Sequence, residues 1–310
     1  MRQAVFNTVM KRWLKLNKIV TIWLIAGSAA AVTTAAALRL DRPDAGRELG
    51  ESTAWRVPDS TTAELTQAFA AAKPWTDFSN RAVQAGILPH HGLVGSLMAG
   101  WVMGVRAQPA PQTVVILGPD HHNAGRGYMT SAMVDWQTPD GVVGVDRALV
   151  STLMEKNMVV NDPELIQVEH GVYTAIPYIH RAWPAAKVVT IAIKGDARPD
   201  WIATLAEELD RALGPNDLVI ATVDFSHYTT AIDALRADEE SVAVIRRGDV
   251  DAALRLPVDS PPAISLILEY AKRRSLVYRQ IAHTTSAQFT GQLDAQSTTS
   301  YLSAYFTAAK

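Results

Sequence analysis

The chain has 310 residues, a formal net charge of -2, 48% hydrophobic and 19% charged residues, and no cysteine. This composition is typical of a packed globular protein rather than a disordered one, and the near-neutral charge argues against nucleic acid as a partner. The absence of cysteine excludes disulfides, thiolate metal sites and cysteine nucleophiles.

The N-terminal segment, residues 1–40, has the pattern of a membrane-targeting sequence. Basic residues, Lys11 and Lys18 among them, precede an uncharged stretch from Ile19 to Leu38. That stretch has about twenty residues, enough to span a membrane as one transmembrane helix. Because the positive flank is N-terminal, we predict a signal anchor in the cell membrane with the remaining chain extracytoplasmic. Cleavage near Ala35–Ala37 would instead make the segment a signal peptide and the protein a secreted one.

A polar linker and a single domain are predicted to follow this segment. Residues 41–62 contain Pro43, Gly46, Gly50 and Pro58 and read as the linker. Residues 63–310 are predicted to form the domain. A helix capped by Asp59 or Ser60 begins it and runs to about Ala72.

Strand-like and helix-like runs then alternate along the chain. The predicted strands are Val83–Leu88, Thr113–Leu117, Lys187–Ile193, Leu218–Val223, Leu276–Ala282 and Ser300–Phe306. The predicted helices are Gly95–Arg106, Asp146–Lys156, Gly171–Ala182, Pro199–Leu213, Ala231–Arg247 and Ala263–Arg274. Within Gly171–Ala182, Pro177 must start or kink the helix. This alternation favours βαβ units, and therefore an α/β domain with a mostly parallel central sheet flanked by helices.

Three of the predicted strands end in polar segments rich in histidine. The segments are Gly86-Ile-Leu-Pro-His90-His91, Thr113-Val-Val-Ile-Leu-Gly-Pro-Asp-His121-His122 and Leu218-Val-Ile-Ala-Thr-Val-Asp224-Phe-Ser-His227. Ligands of open α/β sheets bind just beyond the carboxyl ends of the strands. Five of the eight histidines lie in these segments, so we expect a functional site where the strand ends meet.

The residue types at these strand ends favour a metal site. Neutral imidazole is a common metal ligand, which makes His90 and His121 candidates. Two imidazoles with one carboxylate on a single face suit Fe(II), Zn(II) or Mn(II). The competing interpretation is a set of partly buried histidines that only cap strands, and the convergence of three such segments disfavours it. We expect His122 to pack or hydrogen-bond rather than bind the metal.

The remaining polar residues near the strand ends are candidates for functional or structural roles. Asp224 can orient an imidazole or cap a strand-to-helix turn, and capping is favoured for Ser226. His227 can act as a general acid or base. Glu169 favours a helix start, and its neighbour His170 is a candidate site residue. Two further histidines, His180 and His283, have no neighbouring residues that support a site and are predicted to be structural or exposed.

Four segments of the sequence together resemble the Memo family, whose bacterial members are called AmmeMemoRadiSam system protein B. They are Pro89-His90-His91-Gly92, Leu117-Gly-Pro-Asp-His121-His122, Glu169-His170-Gly171 with Ile176-Pro177-Tyr178, and Val223-Asp-Phe-Ser-His227-Tyr228. The resemblance covers roughly residues 80–310. It implies the LigB-like fold of class III extradiol dioxygenases, with a metal pocket at the strand ends. It also implies that His90 and His121 bind the metal and that His170, Asp224 and His227 are further pocket residues, which we predict to be catalytic.

The sequence departs from the family pattern at several positions. Asp259, in Val258-Asp-Ser-Pro-Pro-Ala-Ile264, takes the place of the family's cysteine ligand. A thiolate favours Cu(I) and a carboxylate favours harder ions, so we predict a divalent metal: Fe(II) favoured, Zn(II) or Mn(II) also compatible, and copper disfavoured. Elsewhere Gly171 and Tyr173 replace a serine and a glutamate, Asp120 replaces a serine, and His91 replaces an alanine.

These assignments lead to three hypotheses for the function. The first is a metal-dependent, dioxygenase-like redox enzyme that acts on a small molecule, with His170 or His227 moving protons. The second is a metal-binding or interaction protein without turnover. The third is a metal-dependent hydrolase with the same ligands. A fold does not decide among them.

Overall fold

The computed structural model describes residues 54–58, 60–75 and 81–309. The predicted membrane segment and most of the predicted linker lie outside these ranges. Within the described ranges, no helix combines the length and the apolar character that a membrane span requires. The described residues all fall in one compact unit.

The chain forms twelve strands and eleven α-helices in the described ranges. The strands β1 to β12 are Trp55–Arg56, Val83–Leu88, Thr113–Pro119, Met129–Ser131, Trp136–Thr138, Gly141–Val143, Val160–Asn161, Lys187–Ile193, Leu218–Thr222, Asp224–Thr229, Leu276–Thr285 and Thr298–Ala308. The helices α1 to α11 are Thr62–Ala71, Gly95–Val105, Arg147–Glu155, Pro163–Val168, His170–Tyr173, Ile176–Ala182, Pro199–Ala212, Ala231–Arg247, Val250–Ala253, Pro261–Arg273 and Ser286–Thr290.

Nine of the strands form one central sheet in the order β10-β12-β2-β9-β3-β8-β4-β7, with β11 paired to β12. The middle strands β2, β9, β3 and β8 are parallel. Strand β12 is antiparallel to β2, β10 and β11, and β4 is antiparallel to β8. The prediction of a mostly parallel sheet therefore describes the centre, whereas the whole sheet is mixed. The other three strands form a small separate sheet in the order β1-β5-β6.

Strand β3 shows why the centre of the sheet lies where it does. All seven of its residues are buried, as expected for a parallel strand covered on both faces. Its side chains alternate between two apolar clusters: Val115 and Leu117 join one, and Val114 and Ile116 join the other. The first cluster includes residues of α7 and α10, and the second includes residues of α2 and α6. The sheet is thus covered by helices on both faces.

Two segments show local structure beyond the predicted elements. Asp224–Thr229, for which no strand was predicted, forms β10 and pairs with β12, with irregular register between Asp224 and His227. Residues 171–182, predicted to be helical with a start or kink at Pro177, form α5 and α6. Pro177 lies in the first turn of α6, where its lack of an amide proton is tolerated, but it cannot continue a helix from α5.

The cap of α1 also differs from the prediction. The capping residue is Thr61, not Asp59 or Ser60: its Oγ1 accepts the amide of Glu64, while Glu64 Oε2 accepts the amide of Thr61. This reciprocal pair is a capping box. It fixes the first turn of a helix that borders the site described next.

Candidate metal centre

The carboxyl ends of the central parallel strands bring the predicted site residues together. His90 lies just beyond β2, His121 just beyond β3, and Asp224 begins β10 directly after β9. Asp259 lies two residues before α10. The ring centroids of His90 and His121 are 5.1 Å apart, and the planes are nearly perpendicular at 89°.

His90 presents an unprotonated nitrogen to two carboxylates. Its Nδ1 lies 3.1 Å from the carbonyl oxygen of Thr222, and a carbonyl can only accept, so Nδ1 carries the proton in the neutral ring. The lone pair is then on Nε2, which lies 3.2 Å from Oδ2 of Asp259 and 3.9 Å from Oδ2 of Asp224. The Asp224 carboxylate also accepts the backbone amide of His90 at 3.2 Å.

His121 has the same arrangement with a different partner. Its Nδ1 lies 2.6 Å from Oε1 of Glu169, and its backbone amide donates to Oε2 of the same side chain at 3.0 Å. A carboxylate acceptor holds the proton on Nδ1 and leaves the lone pair on Nε2. That Nε2 lies 3.9 Å from Oδ2 of Asp259.

Asp259 offers an acceptor oxygen to both imidazoles. Its Oδ2 accepts the amide of Asp224 at 3.1 Å, and its buried Oδ1 has no hydrogen-bond partner. Oδ2 thus faces the lone pair of each imidazole, an arrangement that needs a cation or a proton between the acceptors. Atoms that share an ion at about 2.1 Å each can be at most about 4.2 Å apart, so the 3.2 and 3.9 Å separations from Oδ2 fit a metal ion.

His170 and His227 flank this set. The His170 ring stacks on that of His121, with centroids 4.2 Å apart and an 11° interplanar angle, and its centroid is 5.1 Å from that of His90. The described residues therefore offer two overlapping donor groups, His90 with His121 and His170, and His90 with Asp224 and Asp259. His227 is partly exposed in the wall of the adjoining cleft.

The electrostatics of the centre follow from burial and from the crowding of like groups. Burial, with the nearby His121 and His170, lowers the pKa of His90 to about 3, so its ring is neutral at physiological pH. Burial also raises the pKa of Asp224, and burial together with the Asp224 charge raises that of Asp259 well above its usual range. Burial opposes ionisation of Glu169 too, but hydrogen bonds from His121 and the Gly171 amide outweigh it and lower the pKa.

The centre opens onto a cleft of about 910 Å³. His90, His121, His170, Asp224 and His227 all line it. One wall comes from α1 and the segment before it, and the opposite rim includes Tyr228 and Phe289. The His121 side chain retains 23% exposure, so this part of the centre is accessible from the cleft.

Several polar residues near the centre have structural roles. The Asp120 carboxylate accepts the amides of Ala124 and Gly125 and so closes the turn after β3. His122 is exposed. His91 Nδ1 lies 2.5 Å from the hydroxyl of Tyr301.

The capping roles considered for Asp224 and Ser226 are wrong, because both residues lie in β10 and do not begin a helix. Ser226 Oγ donates to the buried carboxylate of Asp238 at 2.7 Å. His283 lies 2.8 Å from the other oxygen of that carboxylate, a structural role as predicted. Glu169 does cap α5 through the Gly171 amide. Its second role, holding His121, was missed, because no local pattern links two residues on different loops.

Comparison with known proteins places the chain in a family. Residues 55–305 match the model of the Memo-like proteins. A MEMO1 family protein of Desulfurococcus amylolyticus is 25% identical over 217 residues, which cover 66% of this chain and 77% of the relative. Another, from Pyrobaculum aerophilum, is 28% identical over 228 residues, covering 67% and 79%.

A solved structure, that of an uncharacterized protein from Escherichia coli K12, aligns with 71% of this chain and 99% of its own at a TM-score of 0.49 and 15% identity. The family assignment does not depend on this alignment. Because the Memo-like model matches most of the chain, including every residue of the centre described above, this protein belongs to the Memo family.

Proposed function

We propose that the protein binds a divalent metal ion through Nε2 of His90, Nε2 of His121 and Oδ2 of Asp259. The observation that carries the proposal is that Oδ2 of Asp259 lies 3.2 Å from Nε2 of His90 and 3.9 Å from Nε2 of His121, on two rings whose Nδ1 is held by a fixed acceptor. Such fixed partners set the tautomer and the direction of a ligating imidazole. The unpartnered, buried Oδ1 of Asp259 adds a second observation that favours a bound cation.

The donor set favours Fe(II), with Zn(II) and Mn(II) compatible. Two imidazoles and a carboxylate that leave positions open are typical of non-haem Fe(II) sites. Copper is disfavoured because Asp259 offers a hard oxygen rather than a thiolate. The metal would supply Lewis acidity and, as Fe(II), the capacity for redox chemistry with a bound small molecule.

We further propose that the centre is catalytic. Structural metal sites are closed by protein ligands, whereas catalytic ones keep an open position. His90 and His121 line a cleft of about 910 Å³, which leaves room for a substrate beside the proposed metal. A non-catalytic binding role and metal-dependent hydrolysis use the same ligands and are distinguished by activity assays.

Other residues near the centre would transfer protons and orient a metal ligand. His170 and His227 line the cleft and carry imidazoles that can accept or donate a proton. Asp224 holds the backbone of His90 and faces its ring, so it orients that ligand. With the N-terminal segment acting as an anchor, this chemistry takes place outside the cytoplasm.

Metal analysis of the purified protein tests the metal centre. We expect about one divalent ion per chain in the unsubstituted protein and in His122→Ala, whose exposed side chain lies next to the proposed ligand. We expect His121→Ala to lose most of the metal. Equal metal content in the two variants would refute the assignment. Oxygen-consumption and hydrolysis assays on the loaded protein then separate the redox enzyme from the alternatives.

A further inference from the structure

Apart from the metal donors, the described side chains that line the cleft carry negative but no positive formal charge. Among the described residues that line the cleft, none is lysine or arginine. Apart from the residues of the proposed centre, Glu64 is the one described lining residue with a formal charge. Anions such as phosphate or carboxylate are usually bound by arginine or lysine. The lining therefore lacks the side chains that would select an anionic substrate.

Glu64 is an exposed side chain that is ordered by the capping box, and its charge acts within the cleft. The capping box uses Oε2 of Glu64, which accepts both the amide and the hydroxyl of Thr61 at 3.1 and 2.7 Å. Its effect reaches Tyr178, another lining residue: burial and then the Glu64 charge raise the pKa of Tyr178 to about 12. A carboxylate held in this way can attract a cation without first becoming ordered.

Arginine does lie near this wall, but it is engaged elsewhere. Arg181 stacks over the Phe69 ring at 5.4 Å, and Phe69 in turn stacks on Tyr178. The Arg181 guanidinium makes two 2.7 Å hydrogen bonds to Asp140. Its charge is thereby neutralised by a bidentate partner.

Aromatic rings at the rim add a second feature that suits cations. Tyr228 is 87% exposed and Phe289 is 40% exposed, and both line the cleft. Tyr228 also has a φ of +59°, a left-handed conformation that is unfavourable for a non-glycine residue. Exposed aromatic faces attract ammonium groups.

We propose that the cleft takes a neutral or positively charged organic substrate, which places an oxygen donor on the metal and an amine toward Glu64. The inference rests on the proposed metal centre and adds the substrate class. Molecules that carry a phosphate or carboxylate away from the metal-binding group are disfavoured, because the Glu64 charge repels them and the described lining outside the metal centre has no lysine or arginine.

Three hydroxamate probes with the same metal-binding head test this inference. The full-length chain loaded with Zn(II) is titrated with benzohydroxamate, its 4-aminomethyl derivative and its 4-carboxy derivative. We expect the aminomethyl probe to bind about tenfold tighter than the carboxy probe at low salt, and the ratio to shrink as salt is added. The uncharged probe should fall between them.

Glu64→Gln provides the decisive variant, because glutamine at this position preserves the capping box. We expect the affinity ratio to fall to about twofold in Glu64→Gln and to be unchanged in Glu240→Gln, an exposed position on α8 outside the cleft. Equal affinities for all probes, or tighter binding of the carboxy probe, would overturn the substrate class while leaving the metal centre intact. A chain that retains no Zn(II) and binds no probe would overturn both proposals.

Discussion

His121 Nδ1 donates to Oε1 of Glu169 across 2.6 Å, and the backbone amide of His121 donates to Oε2 at 3.0 Å. One carboxylate therefore fixes both the ring and the backbone of a proposed metal ligand. The same carboxylate accepts the Gly171 amide at the start of α5. Loop, helix and ligand are thus held by one side chain that lies beneath the centre.

Glu169→Gln should weaken metal binding more than it weakens the fold. A glutamine amide facing Nδ1 would favour the tautomer that protonates Nε2, the nitrogen proposed to bind the ion. We expect metal affinity to fall about 10–100-fold, measured by competition with a chelator. Glu164→Gln, at a side chain that is 86% exposed, is the control. Unchanged affinity in Glu169→Gln would show that this hydrogen bond does not orient the ligand.

Asp259→Cys should change the preferred metal. A thiolate in place of Oδ2 adds a soft donor between the two imidazoles and favours Cu(I) over harder divalent ions. We expect Cu(I) affinity to rise and Mn(II) affinity to fall, each measured by competition with a chelator. Ser260→Cys places a thiol one residue away and serves as the matched control. The same gain of Cu(I) affinity in both variants would show that Asp259 is not a metal ligand.

The parts of the structure predicted from sequence are those set by local pattern. Strand β8 spans Lys187–Ile193 and helix α8 spans Ala231–Arg247, as their uninterrupted apolar and amphipathic patterns indicate. The sequence also contained the signal for the cap of α1, since Thr61 and Glu64 have capping-box spacing. The neighbouring Asp59 and Ser60 are equally good capping types, so residue type alone did not separate the three.

The parts that were missed depend on residues far apart in the chain. Strand β10 forms because Asp224 pairs with Tyr301 of β12, and the sequence around Asp224 lacks a run of apolar residues that would mark a strand. The orientation of His90 depends on the Thr222 carbonyl, and any residue type at position 222 supplies one. The positions of His90 and His121 at strand ends were predictable, but the groups that hold their rings were not.

Asp238→Asn should destabilise the protein at neutral pH. Asp238 is fully buried between Ser226 and His283, and removing one partner of a buried pair costs about 3–5 kcal/mol. Burial opposes its ionisation, but hydrogen bonds from His283 and Ser226 outweigh it and lower the pKa. The variant's loss should appear as a lower urea midpoint, with Asp294→Asn at an exposed position as the control.

The loss of stability in Asp238→Asn should depend on pH, because it comes from the charged Asp238 carboxylate. Because the folded-state pKa of Asp238 is below the ordinary value of 3.8, its contribution is present above pH 3.8 and is lost as the pH falls further through the folded-state pKa. The difference in unfolding free energy between the protein and Asp238→Asn should therefore narrow in strong acid. A difference that stays constant from pH 7 to acid would contradict a charged, paired Asp238.

Gly118→Ala should disturb both the fold and the metal centre, because β3 approaches α5 closely at this point. A Cβ at Gly118 would lie 2.3 Å from the carbonyl oxygen of Gly171 and 2.7 Å from its carbonyl carbon. Both are backbone atoms and cannot rotate away. Thr222 Oγ1 donates to the same Gly171 oxygen, so displacement of α5 would also break this bond.

We expect Gly118→Ala to lower the unfolding free energy by about 1–3 kcal/mol, the usual cost of overpacking, as measured by urea denaturation. Metal affinity should fall as well, since Glu169 directly precedes α5 and holds His121. Gly92→Ala is the matched control: Gly92 lines the cleft, yet a Cβ there meets nothing within 4 Å. If both variants unfold at the same urea concentration as the parent, the close approach of β3 and α5 is not what positions Glu169.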